Sequence, residues 1–165
     1  MNLATFNVVL PPSVRLRKSG VDALGHRCVE FPRVKMATRS LQSQTFHDQV
    51  VRIAAGYLDQ AKYVVYTNPD GEKNTKIGNS YPDVIVTNKG ESKALFIIEV
   101  ETQDSITALE AINQWKEYQQ LGGTFYLLVP RDSLQSAQQL CNAYSVRAKF
   151  GYYWVEDGQL KVHYD

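Results

Sequence analysis

Cysteine is scarce in this 165-residue chain. Only Cys28 and Cys141 occur, far apart and in no metal-ligand spacing, which excludes a disulfide framework and a zinc knuckle and fits a reducing compartment. Long apolar runs are also missing. No stretch approaches the about 18 residues that a membrane span requires, so no membrane partner is expected. The first twenty residues contain a short apolar run but not the order of charge, apolar core and small-residue cleavage site of a signal peptide, and the expected location is cytoplasmic. There is no glycine-rich phosphate loop, no nucleophile elbow and no cluster of Cys or His, which removes nucleotide-loop, serine-hydrolase and zinc chemistries. Internal repeats, low-complexity tracts and an interdomain linker are absent too, and a single domain is the expectation.

What is present suits a folded core: 44% of residues are apolar and 21% charged. The net charge of +1 conceals an uneven distribution. Residues 1–40 carry seven basic groups against two acids, a balance of +5, whereas the remainder, with 11 basic and 15 acidic residues, comes to −4. A basic arm on an acidic body suits a binder of phosphate backbones, with Arg33, Lys35 and Arg39 the expected contacts. We read residues 1–39 as an irregular or β-structured extension of the same domain and 40–165 as its α/β core.

Pro11, Pro12 and Pro32 interrupt the early apolar pieces, so edge strands and loops are expected there. Phe46, Val50, Ile53, Ala54, Tyr57 and Ala61 recur at spacings of three and four and predict a helix from Ser40 to Lys62. Strands follow at 62–67, Pro82–Thr87 and Ala94–Glu101, the first closed by an Asn68-Pro69-Asp70-Gly71 turn. A second helix is expected over Ser105–Leu121, capped by Asp104 and ended by Gly122-Gly123. An apolar strand TFYLLV, a third helix begun by Asp132 and Gln135, and two strands around an Asp157-Gly158 turn complete the chain. This order predicts a mixed sheet flanked by helices on both faces.

Residues two apart on a strand share a face, so Glu99 and Glu101 point the same way. An antiparallel register that sets Asp83 opposite Glu99 also pairs Val84 with Ile98, Ile85 with Ile97 and Thr87 with Leu95. It gathers three carboxylates at one point. Such crowding at the end of an apolar sheet costs several kcal/mol unless a cation offsets it. Oxygen ligands select a hard ion, Mg²⁺ or Mn²⁺, which can polarise a phosphodiester and activate water. Glu110, Gln114 and Tyr118 form a polar stripe on the second helix, with Leu109, Ile112 and Trp115 on its apolar side.

These residues resemble the PD-(D/E)xK nuclease superfamily, which includes restriction endonucleases, Holliday-junction resolvases and RecB-type exonucleases. Its motif of Pro-Asp on one strand and Asp/Glu-x-Lys on the next reads here as Pro82-Asp83 and Glu99-Val100-Glu101. The Gln-x-x-x-Tyr pattern of RecB-type members is matched by Gln114 to Tyr118. The similarity spans about residues 40–155 and is one of pattern.

It implies a restriction-endonuclease-like αβββαβ core and Mg²⁺- or Mn²⁺-dependent hydrolysis of nucleic acid, DNA above all. Asp83, Glu99 and the Val100 carbonyl would hold the metal. Glu101, standing where the family has Lys, would orient or deprotonate the attacking water, and Gln114 would support the site. His47 and Asp48 on the first helix would extend the metal shell, with Tyr118 nearby. A displaced Lys is the other implied solution, Lys93 and Lys116 being nearest in sequence. Nucleases of this fold often pair so that two sites address two strands, and the resemblance leaves a homodimer open, although the sequence itself does not set the oligomeric state. The alternative is a catalytically silent nucleic-acid-binding or protein-interaction module on the same scaffold.

Overall fold

Six runs rich in β-branched and aromatic residues form one mixed sheet in the computed structural model, which describes residues 41–69 and 72–164. The expected early strands, and Arg33, Lys35 and Arg39, lie outside those residues. The strands are β1 (Tyr63–Thr67), β2 (Val84–Asn88), β3 (Ala94–Val100), β4 (Thr124–Pro130), β5 (Lys149–Glu156) and β6 (Gln159–Tyr164). Their order in the sheet is their order in the chain.

β1, β2 and β3 form an antiparallel meander; β3, β4 and β5 run parallel; β6 returns antiparallel. The β5–β6 turn takes positive φ at both central residues, Asp157 (51°) and Gly158 (72°), matching the right-handed twist of the flanking strands. One edge of the sheet therefore collects the carboxyl ends of β1, β3, β4 and β5 and the start of β2.

Among the described residues three helices cover the sheet. Helix α1 (Leu41–Gly56) lies on one face, where Val50, Val51, Ala54 and Ala55 pack on Val84, Val86, Ile98 and Val100. It ends six residues before the expected Lys62. The Asp59 side chain accepts from the Ala61 N–H at 2.9 Å and its carbonyl takes the Lys62 and Tyr63 N–H groups, so a local turn replaces the last helical turns. Tyr57, expected on the buried face, is exposed as a result.

Helix α2 (residues 108–118) and helix α3 (Leu134–Tyr144) cover the other face. Ala111, Trp115 and Tyr118 from α2 and Ala137 and Cys141 from α3 pack on Ile85, Ile97 and Leu127. Each fully buried Val, Ile or Leu on either face contributes roughly 1.5–3 kcal/mol, so both faces help to hold the sheet. Thr107, not Asp104, caps α2, its side chain accepting from the Glu110 N–H. The start of α3 has no side-chain cap; a 3₁₀ turn, Arg131–Ser133, leads into it instead of a capping box.

The middle of α2, Ala111–Trp115, is a π-helical turn between the short α segments Ala108–Glu110 and Lys116–Tyr118. The wider turn rotates the helix relative to an α-helical reading. Ala111 and Trp115 face the sheet, whereas Leu109 and Ile112, expected on the apolar side, are 42% and 44% exposed.

Among the described residues no helix is long and apolar enough to cross a membrane.

Candidate active site

The β2–β3 register is Val84↔Ile98 and Ile85↔Ile97, as the apolar pairing predicts. It shifts after Val86, so Thr87 pairs with Ala94 and not with Leu95. The three unshifted pairs, Val86↔Phe96 being the third, extend to Asp83, one residue before β2, and Glu99, one residue before the end of β3. Both carboxylates line a cleft of about 560 Å³ at the sheet edge.

Asp83 and Glu99 are buried and tied together through the backbone. The Asp83 N–H donates to Glu99 Oε2 (3.2 Å), and the Val100 N–H donates to Asp83 Oδ2 (2.8 Å). Asp83 Oδ1 takes no hydrogen bond among the described residues.

From α1, the buried His47 ring reaches the same point. Its Nε2 lies 3.0 Å from Asp83 Oδ2 and 3.1 Å from the Val100 carbonyl oxygen, and its Nδ1 lies 3.1 Å from Asp48 Oδ1. Asp48 is itself buried and accepts from the Gln44 amide at 2.8 Å. An imidazolium donates on both sides of this arrangement. The Val100 carbonyl can only accept, so the Nε2 contacts are those of an Nε2–H donor; a metal ion at this point would take the place of that proton, with the ring held through Nδ1 by Asp48.

Gln114 completes the cleft from the π-helical turn. Its amide donates to Glu99 Oε1 (2.8 Å) and to the Tyr118 hydroxyl oxygen (3.1 Å). Burial first, and then the Glu99 carboxylate, push the Tyr118 phenol far above its ordinary value, so Tyr118 stays neutral beside the acids. Glu110, the third member of the expected stripe, is buried outside the cleft lining, because the π turn changes its phase relative to Gln114.

Glu101 goes elsewhere. It is fully buried, its Oε1 accepting from the Trp115 indole N–H (2.7 Å) and its Oε2 from the Ser105 hydroxyl, while its carbonyl accepts from the Tyr153 hydroxyl (2.8 Å). It does not line the cleft, so the carboxylate expected to orient water serves the joint between β3 and α2. Lys116 is exposed and also outside the cleft. Lys93 is exposed at the opposite end of β3.

The β1–β2 connection supplies one wall of the cleft. Asn68 anchors it: its side chain donates to the Thr75 and Pro82 carbonyls (2.7 Å each) and accepts from the Thr75 N–H (2.8 Å), and its N–H donates to the Asp83 carbonyl (2.9 Å). Lys73 and Tyr81 from this connection line the cleft, as does Glu117, which takes the Ser80 hydroxyl. Neither Lys73 nor Asn68 belongs to a periodic pattern; the Asn-Pro that opens the loop was the only signal near them.

Among the described residues no group of three or more His, Cys, Asp or Glu stands in ready metal-binding geometry. His47, Asp83, Glu99 and the Val100 carbonyl are linked at the cleft by hydrogen bonds instead, and an ion there would displace the contacts of His47 with Asp83 and Val100. Hard oxygen donors with a single imidazole suit Mg²⁺ or Mn²⁺, and Asp83 Oδ1 is an acceptor without a donor among the described residues. No family model matches the chain, nor does any curated protein or solved structure.

Proposed function

We propose that this chain is a divalent-cation-dependent phosphodiesterase acting on nucleic acid, with DNA the expected polymer, on a restriction-endonuclease-like αβββαβ core. One observation carries the reading: His47 Nε2 lies 3.0 Å from Asp83 Oδ2 and 3.1 Å from the Val100 carbonyl oxygen, and the Glu99 carboxylate accepts from the Asp83 N–H beside them. Elements in the order helix, meander, helix, strand support it, as do Pro82-Asp83 and Gln114 to Tyr118 at the cleft.

Asp83, Glu99, His47 and the Val100 carbonyl would hold Mg²⁺ or Mn²⁺. When bound, such an ion polarises the phosphodiester and acidifies a water molecule. Asp48 fixes the His47 ring through Nδ1, and Gln114 fixes Glu99 through Oε1. The Asp83 and Glu99 carboxylates are both buried at the end of the apolar sheet. Tyr118, held neutral, adds no charge of its own. Glu101 enters as a brace behind the cleft. A cytoplasmic location and a homodimer that addresses two strands belong to the same reading.

The second reading, a silent nucleic-acid-binding or interaction module, is favoured by one observation: the strand position that bears Lys in the resembling family bears a Glu committed to Trp115 and Ser105. Cleavage of plasmid and single-stranded DNA with Mn²⁺ separates the two. Asp83→Ala and Glu99→Ala are each expected to lower cleavage at least about 100-fold, in line with losing direct charge stabilisation at a reacting phosphate. DNA binding that is indifferent to Mn²⁺ and unchanged in both variants supports the silent module.

A further inference from the structure

We propose that Lys73, on the β1–β2 connection, is the phosphate-binding cation of the cleft, its ammonium meeting a non-bridging oxygen of the nucleic-acid strand as the strand approaches Asp83 and Glu99. The inference rests on the nuclease reading above and adds the residue that takes the polyanion.

The cleft has a charge problem. Glu72, Asp83, Glu99 and Glu117 all line it, and a phosphodiester brought among four carboxylates is repelled by them. One divalent cation offsets only part of that charge. Lys73 is the one Lys or Arg side chain among the described residues that lines the cleft. It is exposed and makes no hydrogen bond or ion pair with any described residue. Instead its Nζ lies 5.3 Å from the centroid of the Tyr81 ring, a contact that steadies an ammonium without neutralising it.

The loop bearing this charge is pinned close to the acids. Asn68 holds both the N–H and the carbonyl of Thr75, two residues beyond Lys73, and the carbonyl of Pro82, next to Asp83. One buried amide thus ties the Lys73 loop to the start of β2. The other candidate cations are excluded by position: Lys93 lies at the far end of β3, and Lys116 is exposed outside the cleft. Glu101, facing Trp115 and Ser105, contributes nothing to phosphate.

The test compares the full chain with Lys73→Gln, Lys73→Arg and, as a control, Lys93→Gln. Three quantities are measured: Mn²⁺ affinity by calorimetry, cleavage of labelled single-stranded and duplex DNA with Mn²⁺, and the salt dependence of DNA binding with Ca²⁺. Lys73→Gln is expected to lower kcat/KM at least about tenfold, to reduce the slope of log affinity against log salt by about one, and to leave Mn²⁺ affinity within about twofold. Lys73→Arg is expected to recover most of the loss, and Lys93→Gln to match wild type.

Wild type that takes up Mn²⁺ and cleaves, with Lys73→Gln unchanged in rate and salt slope, overturns the role of Lys73 and leaves the nuclease reading standing. Wild type that binds DNA without cleaving, with the slope reduced in Lys73→Gln, keeps Lys73 as the phosphate contact and overturns the enzyme. Wild type that takes up neither Mn²⁺ nor DNA overturns both.

Discussion

Glu101 has no exposed surface, and its two carboxylate oxygens are taken by the indole of Trp115 and the hydroxyl of Ser105. Removing the carboxylate strands those two buried donors and opens a void between β3 and α2. Glu101→Ala is therefore expected to destabilise the fold by roughly 2–4 kcal/mol. Glu101→Gln, whose carbonyl still accepts from Trp115, is expected to lose less than half as much. Urea unfolding at constant m-value checks both. At this scale Asp83, Glu99, Gln114 and Tyr118 were legible in the sequence, because strand alternation and helical spacing fix which side chains share a side. The use made of Glu101 was not. Its partner Trp115 reaches it through a π-helical turn that no periodic pattern announces. Lys73 was hidden for a related reason, since a loop residue has no period and its place depends on the buried Asn68.

Among the elements, the β1–β2 connection is the one whose position rests on a single side chain. Asn68→Ala deletes three hydrogen bonds at once, to Thr75 N–H, Thr75 carbonyl and Pro82 carbonyl, and leaves those buried or half-buried groups without partners. The expected cost is about 2–4 kcal/mol against local opening. Hydrogen exchange is expected to accelerate across residues 72–80 while β3 and β4 stay protected; uniform acceleration over the whole sheet would show that Asn68 supports the global fold instead. The elements themselves were legible where they are apolar and periodic: β2, β3 and β4 begin or end within two residues of expectation. Boundaries set by local polar bonds were missed. Asp59 ends α1 early, and Thr107 displaces Asp104 as the cap of α2 while Asp104 accepts from Ser43.

For the molecule as a whole, the layered plan follows from two apolar faces on one sheet. Continuous apolar runs such as TFYLLV demand cover on both sides, and α1 opposes α2 and α3 accordingly. Alternation then decides the chemistry of the edge. Ile98 and Val100 face α1 while Ile97 and Glu99 face α2, so the strand delivers an acid to the cleft without disturbing the core beneath it. The parallel pairing of β3 with β4, and of β4 with β5, is what places the carboxyl ends together, and it followed from the helix between each pair. The imidazole of His47 joins that edge only because α1 crosses the face above Val100. Sequence spacing alone does not show such a crossing.

The central claim is that His47, Asp83, Glu99 and the Val100 carbonyl together hold one divalent cation. Anomalous diffraction from a crystal soaked in saturating Mn²⁺ tests it most directly. A single strong peak touching the Asp83 and Glu99 carboxylates and His47 Nε2, absent from an Asp83→Ala crystal, is the expected result. No peak there at saturating Mn²⁺, with the His47–Asp83 contact intact, would contradict it.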